Sequence, residues 1–372
     1  MKQITWWMIS IAVSLVLAFI LLQLWSKMNE YHIEPTQLSD QSNVDTYLNN
    51  LWQNTSPEIQ PAKRIKTGLF IQSLKFFSAT EVSLTGYLWQ KYSNEDTPYK
   101  PAKNEAGFIF PEQVSASVTE AYRKIEGDEE VIGWYFEVTL RQPFDYSAYP
   151  FDHKTVWVRL WHKNFSQNVI LTPDFESYQA TGVNDIFGIE ENIVLGTWER
   201  EDTFFDYKLS NYDTNFGLSD YIGQQNFPEL HFNIVVKRNF ENAFIVYLLP
   251  LLLVAALLFA SMLTISSKPD LTDKFGFSTS GFIAACSALF FVVLLAHIQL
   301  REQFAGTSIV YIEYFYILMY AILVLSTINT FLFTIHADRW SNFIIYEDNL
   351  MAKVSFWPVL LLGMILVTLP FI

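Results

Sequence analysis

The stretch KRNFENAFIVYLLPLLLVAALLFASMLTI, residues 237–265, decides how the chain is read. A basic pair, Lys237 and Arg238, gives way to an apolar run from Asn242 to Ile265, long enough for the roughly 20 helical residues that cross a bilayer. A short polar turn leads to a second run, FSTSGFIAACSALFFVVLLAHIQL, residues 277–300. The two spacings predict a hairpin of membrane helices. Three more runs share the pattern: Ile4 to Trp25, Ile309 to Ile335 and Phe356 to Ile372.

Hydrophobic residues make up 51% of the chain, and they are concentrated in these five runs. That distribution predicts a water-facing domain between the first run and the second, with four spans after it. With Lys2 inside, residues 27–240 lie outside, and the loops 266–276 and 336–355 return to the cytoplasm. These inner loops carry Lys268, Lys274, Arg339 and Lys353, a modest positive-inside bias. The first run exceeds the usual signal-peptide core and no small-x-small site follows it, so a retained anchor over residues 1–26 is preferred to a cleaved signal peptide.

Residues 28–240 hold 30 acidic against 17 basic side chains, a net of −13 out of the chain's −14. An outer surface this acidic disfavours nucleic acid as a partner and suits cations or simple solubility. The only cysteine, Cys286, lies inside a span, so an intrachain disulfide and a cysteine-built metal site are both excluded.

In the outer segment, residues 27–62 read as a linker with a short helix at Val44 to Trp52 and turns at Pro57 and Pro61. Beyond it, Trp134, Phe136, Val138 and Leu140 alternate with more polar neighbours, as do Val156, Val158 and Leu160, and again Phe232, Ile234 and Val236. Period-two alternation marks strands with one buried face. Leu69 to Phe77 and Val82 to Tyr92 also fit strands. The set predicts an outer, extracellular or periplasmic, antiparallel β-sandwich over residues 63–238.

Residues 172–228 are rich in rings and carboxylates. Tyr178, Trp198, Tyr207, Tyr212 and Tyr221, with Phe204, Phe205 and Phe216 nearby, either form a ligand cage that attracts cations to ring faces or pack loops onto the sandwich. Glu199, Glu201, Asp202 and Asp206 either ligate Ca²⁺ or make a solvated acidic face; their spacing matches no defined loop. No catalytic set emerges: His153 and His162 are too far apart for a helical metal pair, and no phosphate-cradling glycine loop follows a strand. Enzymatic activity is not expected.

At FDYSAYPFDHKTVWVRL, residues 144–160, the chain resembles the pentameric ligand-gated ion channels, of the bacterial type that lacks the loop disulfide. Tyr149, Pro150, Phe151 and Asp152 are similar to the membrane-facing loop tip of that family. Arg238 before the first channel-type span, Pro250 within it, and the strands TGLFIQSLKFF and LTGYLWQKY add to the resemblance, which covers about residues 63–372. Three features depart from the pattern: Arg301 stands where Pro is common, an acidic residue at the inner end of the pore span is missing, and the N-terminal anchor is extra.

The resemblance implies a homopentamer in a bacterial inner membrane, with a ligand-binding domain at 63–238, a four-helix channel domain at 239–372, and a small molecule, ion or proton as ligand. It implies a pore lined by Ser280, Ala284, Ser287, Phe291, Leu294 and Ile298, with Phe291 and Leu294 as a dewetting gate. It pairs Asp152 with Arg238 at the coupling junction, beside Tyr149, Pro150, Phe151 and Leu300; Arg238 as a lipid-interface anchor is the plainer alternative. Small residues on the same span are also what close helix packing requires. Glu313 is the most costly residue of the third span, and His297 stands near its outer mouth as either a pH-sensitive group or an idle one. A non-conducting sensor or assembly protein on the same scaffold is the second functional reading.

Overall fold

The computed structural model describes residues 2–53, 63–93, 106–164, 169–182, 185–218, 226–268, 276, 278–304, 307–335 and 344–372. Pro57, Pro61, Tyr221, Lys274 and Arg339, all singled out above, lie outside the described residues. The chain divides into two compact units. One comprises Tyr31–Phe144 and His153–Arg238; the other comprises Met1–Glu30, Asp145–Asp152 and Asn239–Ile372.

The first unit is built of strands β1 (Lys63–Phe76), β2 (Glu81–Ser93), β3 (Phe108–Ile109), β4 (Gln113–Glu126), β5 (Glu129–Arg141), β6 (His153–His162), β7 (Val169–Pro173), β8 (Trp198–Ser210) and β9 (Phe227–Arg238). They form a five-stranded sheet, β4-β5-β2-β1-β7, and a four-stranded sheet, β3-β6-β9-β8. The expected all-antiparallel arrangement needs correcting: β7 pairs with β1 in parallel, Lys63 opposite Val169 through Thr67 opposite Pro173. A parallel pair requires a crossover rather than a hairpin, and the chain enters β7 from β6, a strand of the other sheet.

One apolar cluster draws on both sheets: Leu69, Ile71, Leu84, Leu88 and Phe136 from the first, Val156, Val158, Phe205, Phe232 and Ile234 from the second. Helix α2 (Gln41–Gln53) seals part of it with Val44 and Leu48, one helical turn apart and fully buried. Asp40 starts that helix by accepting the Asn43 amide at 2.8 Å. At Gly86 on β2, a Cβ would stand 2.1 Å from the Phe70 carbonyl oxygen, so the position admits no side chain.

β4 and β8 depart from simple alternation for opposite reasons. β4 is exposed along its whole length, on both faces. β8 lies within the ring-rich region that reads as loop in the sequence, and Asp202 to Tyr207 are all buried. Since both of its faces are covered there, polar and apolar side chains are buried on both without regular order, and the period-two signal disappears.

The second unit holds α1 (Lys2–Met28), α3 (Phe240–Leu263), α4 (Thr279–Gln303), α5 (Glu313–Thr334) and α6 (Leu350–Thr368). Among the described residues five helices are long and apolar enough to cross a membrane, which marks a membrane protein. Asn239 caps α3 and Ser278 caps α4, each accepting the amide three residues on, at 3.2 and 3.0 Å. Pro250 lacks an amide donor; a π-turn at Phe244–Leu248 precedes it and places it in the first turn of the α-helical segment that follows.

Helix α1 lies along α6. Its less exposed residues include Trp7, Ser10, Ser14, Leu17, Leu21, Leu24 and Met28, at alternating steps of three and four, with Ala18 and Trp25 beside them on the same side, the spacing of a helix-packing seam. Ser10 and Ser14 let the backbones approach, and the Ser10 hydroxyl donates to the Val354 carbonyl of α6. At the same N-terminal end of α6, Asp348 accepts from the Ser266 hydroxyl at 2.8 Å and the Ser267 amide at 2.7 Å, while the Lys353 ammonium donates to the Ile265 carbonyl at 2.6 Å.

Candidate functional site

On α4, Phe282, Cys286, Val293 and Leu300 are buried and share one stripe of the helix. At 100° per residue, Ser280, Ala284, Ser287, Phe291, Leu294 and Ile298 fall on the opposite side. Five of these six are exposed and Leu294 is half-buried. The Ser287 hydroxyl donates to the Ile283 carbonyl at 2.9 Å, so the apolar span carries no unpaired donor there. An open recess of about 390 Å³ lies beside this face, lined by Ser287 and Phe291 of α4 and Val324 and Thr327 of α5.

His297 does not share that free side. It stacks on Tyr316 at 5.1 Å and its Nδ1 lies 3.1 Å from the Tyr320 hydroxyl, so it is a half-buried packing group between α4 and α5. Glu313 is not a lone carboxylate either: Arg301, at the end of α4, pairs with it at 3.2 Å.

The segment Asp145–Asp152, which the chain places between β5 and β6, belongs to the helical unit. Main-chain bonds fix it: the Tyr311 amide donates to the Ser147 carbonyl at 2.7 Å, and the Ile312 amide to Tyr149 at 3.3 Å. Rings fix it further. Tyr149 lies 4.7 Å from Phe304, and Phe151 stacks on Phe240 at 4.9 Å with an interplanar angle of 18°. Tyr149, Pro150, Phe151, Asp152 and Leu300 are all buried. Asp152 belongs to this unit and Arg238 to the β unit, where its guanidinium lies 4.0 Å over the Trp198 ring.

Of the rings read as a possible cage, Tyr221 lies outside the described residues, and the other four do not come together. The Tyr178 hydroxyl is tied to the Leu69 main chain, accepting from its amide at 2.8 Å and donating to its carbonyl at 2.9 Å. The Tyr207 hydroxyl donates to the Leu171 carbonyl at 2.8 Å, and its ring stacks on Tyr47. Trp198 packs on Phe76. These three are packing groups, the two tyrosines held in place because a buried hydroxyl needs a partner.

Only Tyr212 belongs to a ring cluster near a surface, and its companions are Trp161 and Phe216. The three centroids are 5.6 to 5.8 Å apart, each pair edge-to-face. Behind them lies Glu229, 5% exposed, which accepts from Trp161 Nε1 at 2.7 Å, the Tyr212 hydroxyl at 2.7 Å, the Ser210 hydroxyl at 2.6 Å and Arg159 at 3.1 Å. Arg159 also pairs with Glu112. Burial pushes the Glu112 carboxyl up, and burial with the adjacent Glu229 pushes the Tyr212 phenol well up. Phe216 sits at the exposed rim with φ +52, a conformation that a bulky side chain rarely adopts. A rigid ring trio backed by two carboxylates and one guanidinium offers ring faces and net negative charge to a small organic cation.

Trp161, Arg159 and Glu229 were not singled out in the sequence because they come from strands β6 and β9, far from Tyr212 in the chain. The only available signal was that Arg159 and Trp161 interrupt an otherwise apolar alternation.

The acidic run likewise fails to assemble a metal site. Glu201 pairs with Lys237 at 2.9 Å, Asp202 accepts from Gln37 at 2.6 Å, and Asp206 accepts from Asn233 at 2.8 Å. Among the described residues no three His, Cys, Asp or Glu side chains converge on a cation position. Nor is the run a solvated face: Asp202 and Asp206 are buried, and burial pushes both carboxyls up.

Compared with known proteins, the chain matches no family model and no curated protein.

Proposed function

We propose that the chain is the subunit of a homo-oligomeric, ligand-gated ion channel, five copies around one axis, in a bacterial inner membrane with the β unit outside the cytoplasm. The observation that carries this reading is the free side of α4: a row of small, hydroxylated and then bulky apolar residues, set opposite the helix's buried stripe. Five copies turned inward would give a water-wetted inner half and a ring of Phe291 and Leu294 that water leaves. The Asp145–Asp152 segment then transmits ligand binding, and the charge pair of Asp152 with Arg238 belongs to the same proposal.

The ligand site in this reading is the Trp161, Tyr212 and Phe216 cluster, with a small organic cation as occupant. Its ligand shifts the channel only by binding the open arrangement more tightly. Top-view images of the detergent-purified protein, followed by bilayer current recording, test the proposal. Five subunits around an axial hole and a conductance that responds to amines support it; a monomer or dimer removes the pore.

A non-conducting sensor has one observation of its own. Phe291, Leu294 and Ile298 make the outer half of the face entirely apolar, with no charged residue to favour an ion. Pentamers that never conduct, with ligand bound, favour that reading.

A further inference from the structure

Helix α1 ends in a residue that does more than anchor the chain. Trp25 is buried, and its indole Nε1 donates to the Tyr311 hydroxyl at 2.7 Å. That hydroxyl lies 2.7 Å from Thr368 Oγ1 of α6, while the amide of the same Tyr311 holds the Ser147 carbonyl of the inserted segment. The indole ring meets Phe151 of that segment at 6.0 Å, Phe240 at the start of α3 at 5.9 Å, and Phe315 of α5 at 6.3 Å. One side chain of α1 therefore touches the inserted segment, the turn before α5 and two other helices, α3 and α5, and reaches α6 through Tyr311.

We propose that α1 is a working fifth helix of the membrane unit, and that Trp25 is a positioning residue that holds the Asp145–Asp152 segment against the turn before α5. The geometry has the features this role needs. Phe151 stacks on Phe240 and the indole packs against both rings, so withdrawing the indole removes one wall of the Phe151 pocket. The hydrogen-bond chain from Trp25 through Tyr311 to Thr368 orients the residue whose amide binds the segment. Beneath the indole, a cavity of about 30 Å³ lined by Leu248, Ala255, Met319 and Leu360 leaves its inner side incompletely packed. The ring is thus fixed by its polar tip and aromatic neighbours more than by the core below.

The far end of α1 is different in kind. Trp7 packs edge-on to Phe259, and neither residue touches the inserted segment. Loosening that end disturbs the seam with α6 and leaves the segment's pocket intact. A structural anchor would respond alike at both ends; a positioning helix responds at Trp25 alone. The effect on gating rests on the channel reading, whereas the effect on the segment's docking does not.

Hydrogen exchange on the detergent-purified full chain tests this, with peptides covering 145–152 and 307–315. Trp25→Ala is expected to speed exchange in both peptides by roughly tenfold while Trp7→Ala leaves them as in the parent. Should Trp25→Ala fail to assemble, the double variant Trp25→Phe with Tyr311→Phe keeps every ring, removes the hydrogen-bond chain, and is expected to speed the same peptides. Parent-like exchange in the Trp25 variants overturns the proposal, as does an equal effect of Trp7→Ala. In current recording, Trp25→Ala is expected to shift half-activation by about tenfold in ligand concentration. A parent chain that passes no current under any ligand overturns the channel reading and leaves the exchange result to decide the role of Trp25.

Discussion

Arg301 and Glu313 form an ion pair at 3.2 Å in which the carboxylate is 2% exposed and the guanidinium 40%. Two oddities of the sequence, an arginine where the resembling family commonly has proline and a carboxylate at the mouth of an apolar span, are thus two halves of one contact. The guanidinium also donates to the Thr307 carbonyl at 2.6 Å, so it closes the turn between α4 and α5. Removing Arg301 alone leaves a buried carboxylate unpaired. Arg301→Met is expected to cost about 2 kcal/mol, discounted for the exposure of the arginine, and adding Glu313→Leu is expected to recover most of it. Thermal unfolding in detergent reads both, and a double variant no more stable than the single would refute the account.

His231 and Asp206 are cross-strand neighbours on β9 and β8, both buried, and neither ring nitrogen of His231 has a hydrogen-bond partner. Burial, then the positive charges of Lys208 and Arg159, hold the imidazole down to about 3 from its ordinary 6.5. The folded state therefore refuses a proton that the unfolded chain accepts, so stability is lost as pH falls below 6.5 toward 3. Asp202 and Asp206, pushed up by burial, act in the opposite sense at the acid end of that range. Between pH 6.5 and about 5 His231 acts together with His162, which burial holds down to about 4, and His231→Leu is expected to make the fall of melting temperature shallower there. An unchanged slope counts against this assignment.

Phe216 trades backbone comfort for display of its ring. Phe216→Gly is expected to raise the stability of the β unit by about 1 kcal/mol, since glycine adopts positive φ freely. The same change is expected to weaken the response to small amines. Melting curves and dose–response curves on one preparation separate the two effects, and a variant that is less stable rules out the strain argument.

Leu294 belongs to the constriction in the proposed pore. Leu294→Ser is expected to let water and ions pass without ligand, visible as a standing leak in recordings from otherwise silent membranes. Full closure in this variant would move the gate elsewhere.

The membrane spans were legible because each satisfies a one-dimensional criterion, about 20 apolar residues in a row. Strands β1, β2, β5, β6 and β9 were legible through the alternating face they turn to the core. β8 was not, since Asp202 and Asp206 sit in buried positions where a reader expects apolar side chains. Of the four described rings read as a possible cage, Tyr212 alone entered the surface cluster. Ring content alone cannot tell Tyr178, whose hydroxyl is spent on the Leu69 backbone, from Tyr212, whose hydroxyl faces Glu229. On α4 the face implied by the resemblance falls opposite the buried stripe of Phe282, Cys286, Val293 and Leu300; that it turns toward a pore is part of the proposal.

The seam between α1 and α6 also has a consequence in time. Ser10 and Val354, which bond across it, are 344 positions apart. At about 5–20 residues per second of synthesis, α1 waits in the bilayer roughly 20–70 s before its partner helix exists. During that interval its serines must be content with lipid or a temporary escort, so insertase and chaperone factors have a window in which to decide whether this helix joins its own bundle or a neighbour's.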